Sequence, residues 1–570
     1  MAIDPEFVPY FVTYLLLFLV WFIRVNRQVM FWLYLWQLKE YHWGRFIDHF
    51  RTAKGRQILL NGLFAVKVVL LAAGAWFFVL PVAGRTGFFD HNSLYDFMSG
   101  YLKLMNGFIG AVVLVYAAEA LYTVYSFLKN QLLHPQLTKK SIMLIAASHL
   151  AVYLVSLTAF FVFLGELRLL DLCFAAFGLL VIDMLAPVLI SAVVLGLQPL
   201  TVREKNKILA RAKAAIEKRP DLLVVGIAGS YGKSVTKELL AHILGQDQPV
   251  LKTQANQNTE MGVAQAVLND LKPEHKVFVC EIGAVHKGKI AQTAGIIKPR
   301  VGILTGINQQ HMAVFGGQKN IIDAKYEILE VLPASGTAIL NWSSSMVRES
   351  FDSKKAAIKA QNIIFAGKDI VAADIKAEGD ILQFDLLLEG KKHTVRTNAR
   401  GAFMVEPILL AVCGAMAAGM GPERIVEIIN ETEFAPFNIS VLENSDGVNV
   451  ISSTYSANPD GVFAHLDYLR LWPGKKAIVM PCIIELGGAS KEIHFAIGKR
   501  IAQVCDLAII TTKERFNDIK KGAVSAGMKP ENIVFCDKPQ NIKKIVAGKL
   551  GANDALLIDG RVGENIVAVF

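Results

Sequence analysis

Up to about residue 200 the chain is a series of long apolar runs, and beyond it short β-branched runs alternate with amphipathic segments. Five early runs are long enough to cross a bilayer as helices: roughly Val8–Ile23, Ile58–Leu80, Leu104–Leu128, Ile142–Leu164 and Leu172–Leu195. The first lacks the basic start and small-residue cleavage site of a signal peptide. Within Arg24–Arg56 the piece VMFWLYLWQLKEYHWGRFIDHF mixes aromatics with charges, as a helix lying in a membrane interface does. Thr201–Pro220 reads as a basic connecting helix suited to anionic headgroups. From Asp221 the runs LLVVGIAG, KVFVCEIG and VGILTGI predict parallel strands covered by helices. Short alternating runs between Gly336 and Arg400 predict an antiparallel addition to that sheet. Over Asn438–Phe570 the runs KKAIVMPC, DLAIITT, NIVFCD and DALLIDG predict a second, smaller, Rossmann-like unit.

Composition sharpens this division. The chain is 53% hydrophobic and 19% charged, with mean hydropathy +0.40, too apolar for an ordinary soluble enzyme. The net charge of +10 could suggest nucleic acid, but the positive-inside rule accounts for many of the cations, so no nucleic-acid partner is expected. Arg24–Arg56 is rich in Arg, Lys and His and Lys129–Lys140 holds three lysines, whereas Pro81–Gly100 and Gly165–Asp171 hold one cation each. This asymmetry predicts a multi-pass protein of the cytoplasmic membrane, N-terminus outside, with everything past about residue 198 in the cytoplasm. Glu119, Asp171 and Asp183 fall within or beside the spans; a polar path or headgroup site and a simple interhelical hydrogen bond are equally open readings. The six cysteines, none at C-x-x-C spacing, read as small core hydrophobes in a reducing compartment.

The candidate chemistry centres on Val224–Glu238, VVGIAGSYGKSVTKE. A buried strand breaks into a glycine-containing loop and enters a helix at Lys233–Leu240, which makes a phosphate cradle. Gly229, Ser230, Tyr231, Gly232, Lys233, Ser234 and Val235 are the residues expected around a nucleoside triphosphate. Lys233 supplies a point charge, and the Ser234 hydroxyl can reach Mg²⁺. The strict pattern wants glycine at Ile227. The following strand ends carry KTQANQNTEMG, EIGAVHKGK and NQQHMAVFGG. Ser234, Glu281 and His311 can therefore converge on one or two Mg²⁺ ions beside the γ-phosphate. Taken singly, His311 reads as a loop histidine and Glu281 as a cap or salt-bridge partner. The organisation expected is thus multi-domain: a transmembrane helical domain (1–200), a basic linker helix (201–220), an α/β P-loop ATP-binding domain (221–437) and a C-terminal Rossmann-like α/β domain (438–570).

The ordered pieces GIAGSYGKSVTKE, TQANQNTEMGV, EIGAVHKGKI, NQQHMAVFGGQKNIIDAKYEI and TYSANPDGVFAHL resemble the Mur ligases, most closely the type that adds D-alanyl-D-alanine to a muramyl tripeptide. The resemblance covers roughly residues 221–570 and leaves out residues 1–200. It implies ATP-dependent amide formation through an acyl phosphate, with ATP and Mg²⁺ required. By it, Lys233 holds the β/γ-phosphates, Ser234 and Glu281 serve one Mg²⁺, and His311 serves a second. Asn258 and Thr259 line the reacting groups, and Tyr455 and Asn458 meet the nucleotide. Lys325 stands where several such ligases carry a carbamylated lysine; a surface lysine paired with Asp323 or Glu327 is the equal alternative. Three departures accompany the match: Phe403 and Pro407 replace a His and an Asn on the base side, Ser453 replaces an acid that could meet ribose, and Asp559-Gly560-Arg561 stands for Lys-Gly-Ser-Arg. A soluble uridine-binding domain is expected at the front, and apolar spans stand there instead. The implied partners are a lipid bilayer, a nucleotide- or lipid-linked cell-wall precursor, an amino acid or dipeptide, and membrane proteins of cell-wall synthesis. A non-catalytic nucleotide-binding scaffold is the alternative, and a P-loop kinase or transport ATPase is the third class.

Overall fold

The computed structural model describes the chain apart from residues 1–6, 40, 52, 85–90, 164–168, 256, 285, 389, 435–439, 444–446 and 454–457. It divides into two units, Met1–Glu204 and Lys205–Phe570.

The first unit is helical, with long helices at Phe7–Leu38, Gly62–Gly84, His91–Leu128, Lys139–Phe163 and Leu169–Gly196. Five helices among the described residues are long and apolar enough to cross a membrane. The first runs well past Ile23, so the expected loop from Arg24 is instead helix as far as Leu38. The expected interfacial helix is likewise divided, its second part forming a separate helix at Trp43–Arg51. Leu164, the expected end of the fourth span, lies outside the described residues.

Arg24 stays in the helix because neighbouring helices meet its charge. Its Nε lies 2.7 Å from Glu119 Oε1 and 3.8 Å from Asp183 Oδ1. Lys67 Nζ donates to Glu119 Oε2 and Asp183 Oδ2, both at 2.6 Å. Two cations and two carboxylates from four helices thus balance inside an apolar bundle, and Glu119 and Asp183 are parts of an ion-pair network. Asp171 differs from them: it sits in the first turn of its helix. Pro187 adds a second tie. Lacking an N–H, it leaves the carbonyl four residues back without its helical donor, and that carbonyl is Asp183 O. Gln28 Nε2, from the first helix, donates to it at 3.0 Å.

The second unit contains two parallel sheets. The first is built from β1 (Leu223–Ala228), β2 (Val250–Lys252), β3 (Val277–Glu281), β4 (Val301–Leu304), β5 (Thr337–Asn341) and β6 (Asn362–Ala366), in the order β2-β3-β1-β4-β5-β6. Their near-continuous burial explains the unbroken apolar runs in the sequence. β1 lies between β3 and β4, so the chain direction of the crossovers reverses beside it, and such a switch opens a crevice at the strand C-termini. The expected antiparallel addition is narrower than Gly336–Arg400. It comprises β7 (Val371–Glu378), β8 (Ile381–Leu388) and β9 (Lys391–Thr397), while β5 and β6 extend the parallel sheet.

The second sheet uses β10 (Ser440–Glu443), β11 (Asn449–Ser453), β12 (Lys476–Met480), β13 (Leu507–Ile510), β14 (Ile533–Phe535) and β15 (Ala555–Asp559). Its order is β10-β11-β15-β12-β13-β14, parallel except for β10.

Removing one member of a buried ion-pair network leaves its partners uncompensated, at about 3–5 kcal/mol, whereas removing a matched pair costs far less. Lys67→Met alone should therefore lower the unfolding midpoint of the detergent-purified protein more than Lys67→Met combined with Glu119→Met. Equal or greater loss in the double variant would contradict a coupled network.

Candidate active site

The loop after β1 is shaped by glycine and braced by the end of β4. Gly232 caps the helix Lys233–Gly245 in the left-handed region, at φ +75°. A Cβ at Gly229 would come within 2.1 Å of Thr305 Oγ1. Ser230 N–H donates to Gly306 O at 2.7 Å, and the Thr305 hydroxyl donates to Tyr231 O. Gly306 must itself be bare, since a Cβ there would lie 2.4 Å from the Tyr231 ring. Lys233 Nζ donates to Gly229 O at 2.9 Å and to Ser230 O at 3.3 Å. Burial lowers the pKa of its ammonium, and Glu281 partly opposes this. Val235 packs behind the loop against the core of the first sheet.

Glu281, at the tip of β3, is only 5% exposed. Its Oε2 accepts from Ser234 Oγ at 2.8 Å, and its Oε1 from Asn258 Nδ2 at 2.9 Å. Asn258 is anchored in turn, because Gly283 N–H donates to Asn258 O at 2.7 Å. Thr259, expected among the reacting groups, caps the helix Glu260–Asn269 by accepting from Gly262 N. Behind the carboxylate lies Lys237, 1% exposed and 4.0 Å from Glu281 Oε2. Among the described residues no three His, Cys, Asp or Glu side chains form a cation cage. The donors present nevertheless suit Mg²⁺, which binds through one or two protein oxygens and completes its shell with phosphate and water. Glu281 and Ser234 would hold it, where it would neutralise phosphate charge.

Lys325 is not a surface lysine. It is 3% exposed, Nζ lies 3.4 Å from Ala284 O, and it faces the Phe315 ring at 5.5 Å. Its would-be surface partners are engaged elsewhere. Glu327 accepts from Gly288 and Ala291 N–H groups, and Asp323 pairs with Lys287 and Lys354. Burial, reinforced by the charge of Lys233, lowers the Lys325 pKa to about 7.

The remaining site residues bridge the two α/β domains. His311, at φ +64°, pairs its Nδ1 with the Glu485 carboxylate, and Ala313 N–H donates to Glu485 O at 3.2 Å. The structure thus gives His311 a partner in the second domain. Asn308 Nδ2 donates to Asp460 Oδ2 at 2.8 Å and to Asn458 Oδ1 at 3.3 Å. Asn458 caps the helix Pro459–Leu469. Tyr455 lies outside the described residues. On the base side, Glu406 Oε2 accepts from Asn341 Nδ2 at 2.7 Å. Burial raises the Glu406 pKa, the Asn341 hydrogen bond lowers it, and the charge of Asp460 raises it further. Burial also raises the pKa of the Tyr231 phenol, with Glu406 and Asp460 adding to the effect. Thr305, Lys237, Glu406 and Asp460 were not expected from the sequence. The β4 end VGILTGI held the clearest signal, a Thr-Gly pair at the end of a buried strand.

Residues 227–415 match the Mur ligase middle domain, and residues 439–562 match the Mur ligase glutamate ligase domain. The chain belongs to the Mur ligase family. As a Mur ligase it is an ATP-dependent ligase that forms peptide bonds. It is similar to the UDP-N-acetylmuramoyl-tripeptide–D-alanyl-D-alanine ligase of Synechocystis sp., 29% identical over 55% of this chain and 67% of that one. The Escherichia coli ligase of the same name is 26% identical over 54% and 68%. The fold of the second unit is shared with MurF from Acinetobacter baumannii, with a TM-score of 0.58 and 26% identity over 64% of this chain and 79% of that chain. The MurF ligase from Thermotoga maritima, solved in complex with ADP, gives 0.55 and 26% over 64% and 83%. In this Mur ligase Phe403, the base-side departure, packs edge-on against His465 and Tyr468 of the C-terminal domain.

The pKa of Lys325 fixes the sign of a pH effect. The folded chain sheds this proton near pH 7 and an ordinary lysine near 10.5, so burial costs stability fully below pH 7 and progressively less above it. In buffer free of carbon dioxide, Lys325→Met should raise the unfolding midpoint most at or below pH 7, with the gain shrinking toward pH 10. A gain that grows with pH would contradict this assignment.

Proposed function

We propose that this Mur ligase is membrane-anchored and joins D-alanyl-D-alanine, or a similar amino acid or dipeptide, to a muramyl-peptide precursor. The observation that carries the ligase chemistry is the convergence of Ser234, Asn258 and Glu281 beside Lys233 on a glycine-shaped loop. The names of the Synechocystis and Escherichia coli relatives support the choice of amine and acceptor. ATP phosphorylates the acceptor carboxylate, the amine attacks the acyl phosphate, and an amide, ADP and phosphate leave. The chain's part is positioning and charge neutralisation. Lys233 and the loop N–H groups hold the phosphates, Glu281 and Ser234 hold Mg²⁺, and Asn258 fixes Glu281. His311 serves a second cation when Glu485 releases it. Lys325, its pKa lowered to about 7, has a substantial uncharged fraction near neutral pH, the form that takes up carbon dioxide as a carbamate; a carbon-13 carbamate signal absent from Lys325→Met is its check.

The five apolar helices support anchoring in the cytoplasmic membrane, with N-terminus outside and the α/β domains in the cytoplasm. They stand where a soluble acceptor-binding domain is expected, so a lipid-linked acceptor fits as well as a nucleotide-linked one. The changed base side, Phe403, Pro407 and Ser453, favours the rival reading of a nucleotide-binding scaffold.

The test is ADP release by the detergent-purified chain with Mg²⁺-ATP and muramyl-peptide acceptors, soluble and lipid-linked, each with and without D-alanyl-D-alanine. Release should require acceptor and amine together and vanish in Lys233→Ala. ATP binding without release for any pair would instead support the scaffold.

A further inference from the structure

The ion-pair network of the helical unit balances within itself, and a further charge lies beside it. Arg27 follows Arg24 by three residues, so the two are neighbours along one side of the helix Phe7–Leu38. Glu119 and Asp183 are already taken up by Arg24 and Lys67. Among the described residues no carboxylate comes within ion-pair distance of Arg27. Its guanidinium lies instead over the ring of Tyr122, 4.5 Å from the centroid. Three cations thus meet two carboxylates, and the surplus charge is that of Arg27.

This surplus sits at the outside of the bundle. Tyr122 is 56% exposed, and Leu121, Val124 and Tyr125 around it on the helix His91–Leu128 are exposed as well. Arg27 is half-buried. An exposed apolar face on a membrane helix is a face toward lipid, where an uncompensated charge is expensive. The aromatic face stabilises a cation without neutralising it. An anion from the lipid side would do both.

Depth and shape point to the anion. Arg27 comes 20 residues after Phe7, about 30 Å at the helical rise, which matches the thickness of a hydrocarbon core. Tyr122 likewise stands six residues, about 9 Å, before the end of its helix at Leu128. In the orientation proposed above, both are then at the level of the cytoplasmic headgroups. A guanidinium with one face on a ring keeps its N–H edge open, and that planar fork suits two oxygens of one phosphate. We propose that Arg27, seated on Tyr122, binds the phosphate of a lipid in the cytoplasmic leaflet. Two lipids carry this chemistry: an anionic phospholipid, and a cell-wall precursor linked to its tail through phosphate. The second would hold the acceptor at the leaflet that faces the ligase domains. The proposal rests on the membrane reading above.

Binding of short-chain lipids to the full detergent-purified chain tests it. The probes are phosphatidylglycerol, a polyprenyl diphosphate, a diacylglycerol glucoside that lacks phosphate, and inorganic phosphate. Both phosphate lipids should bind about tenfold more tightly than the glucoside, as a hydrogen-bonded charge provides. Arg27→Gln should bring that ratio to about one, and Arg27→Lys, which keeps the charge without the fork, should keep part of it. Tighter binding of the diphosphate would assign the site to the lipid-linked precursor, and equal binding of the two phosphate lipids would assign it to leaflet phospholipid. An unchanged ratio in Arg27→Gln, or inorganic phosphate binding as tightly as the lipids, would overturn the site and leave the membrane reading standing. Without added lipid, Arg27→Gln should keep the unfolding midpoint of the unaltered chain, because no carboxylate loses a partner. A fall as large as that of Lys67→Met would make Arg27 a structural member of the network and overturn the site. Release of the chain from membranes by alkaline carbonate would remove the membrane reading and the site together.

Discussion

A carboxylate at the tip of a buried strand has to be hydrogen-bonded or neutralised, and Glu281 organises the catalytic domain around that need. The Ser234 hydroxyl satisfies one oxygen and the Asn258 amide the other. Each donor sits on a different strand-end segment, so the pairing draws the phosphate loop and the polar turn after β2 onto the tip of β3. The switch in strand order beside β1 opens the crevice in which this happens. Lys237 supports the carboxylate from behind and is itself held by Thr253 O at 2.7 Å. What results is a hard-oxygen cluster beside the glycine-shaped loop.

The helical unit solves the same problem differently. Arg24, Lys67, Glu119 and Asp183 are costly among apolar helices, and each is tolerable only because the others are present. Gln28 fills the hydrogen-bond gap that Pro187 opens at the Asp183 carbonyl, so the same residue is tied by both its side chain and its backbone. These ties specify which helix faces which, something apolar contacts between similar greasy surfaces specify poorly.

Much of this was legible in the chain. The β1 run, the glycine loop and Lys233–Ser234 announced the strand, loop and helix that follow one another there, because strand burial and loop chemistry are local. Glu281 could be named for the same reason, standing at the tip of a buried strand, whereas Asn258 is named only through the resemblance to the Mur ligases. The extent of the first helix was not legible, since whether Arg24 ends a span depends on carboxylates 95 and 159 residues away. Lys325 was ambiguous because its spacing from Asp323 and Glu327 also fits an exposed helix face. Only the folded structure assigns those acids to Lys287, Lys354 and the helix cap over Gly288. That the end of β11 at Ser453 lies beside the end of β15 at Asp559 depends on strand order, which no local pattern encodes.

The central claim is that the cradle activates a carboxylate by phosphorylation. It is tested most directly by following heavy oxygen from a muramyl-peptide acceptor labelled in the reacting carboxylate, turned over by the full chain with Mg²⁺-ATP and D-alanyl-D-alanine. An acyl phosphate must pass one labelled oxygen to the inorganic phosphate and retain the other in the new amide. Label in the phosphate is the predicted result. Amide formation with unlabelled phosphate, or with the label in AMP, would contradict the account.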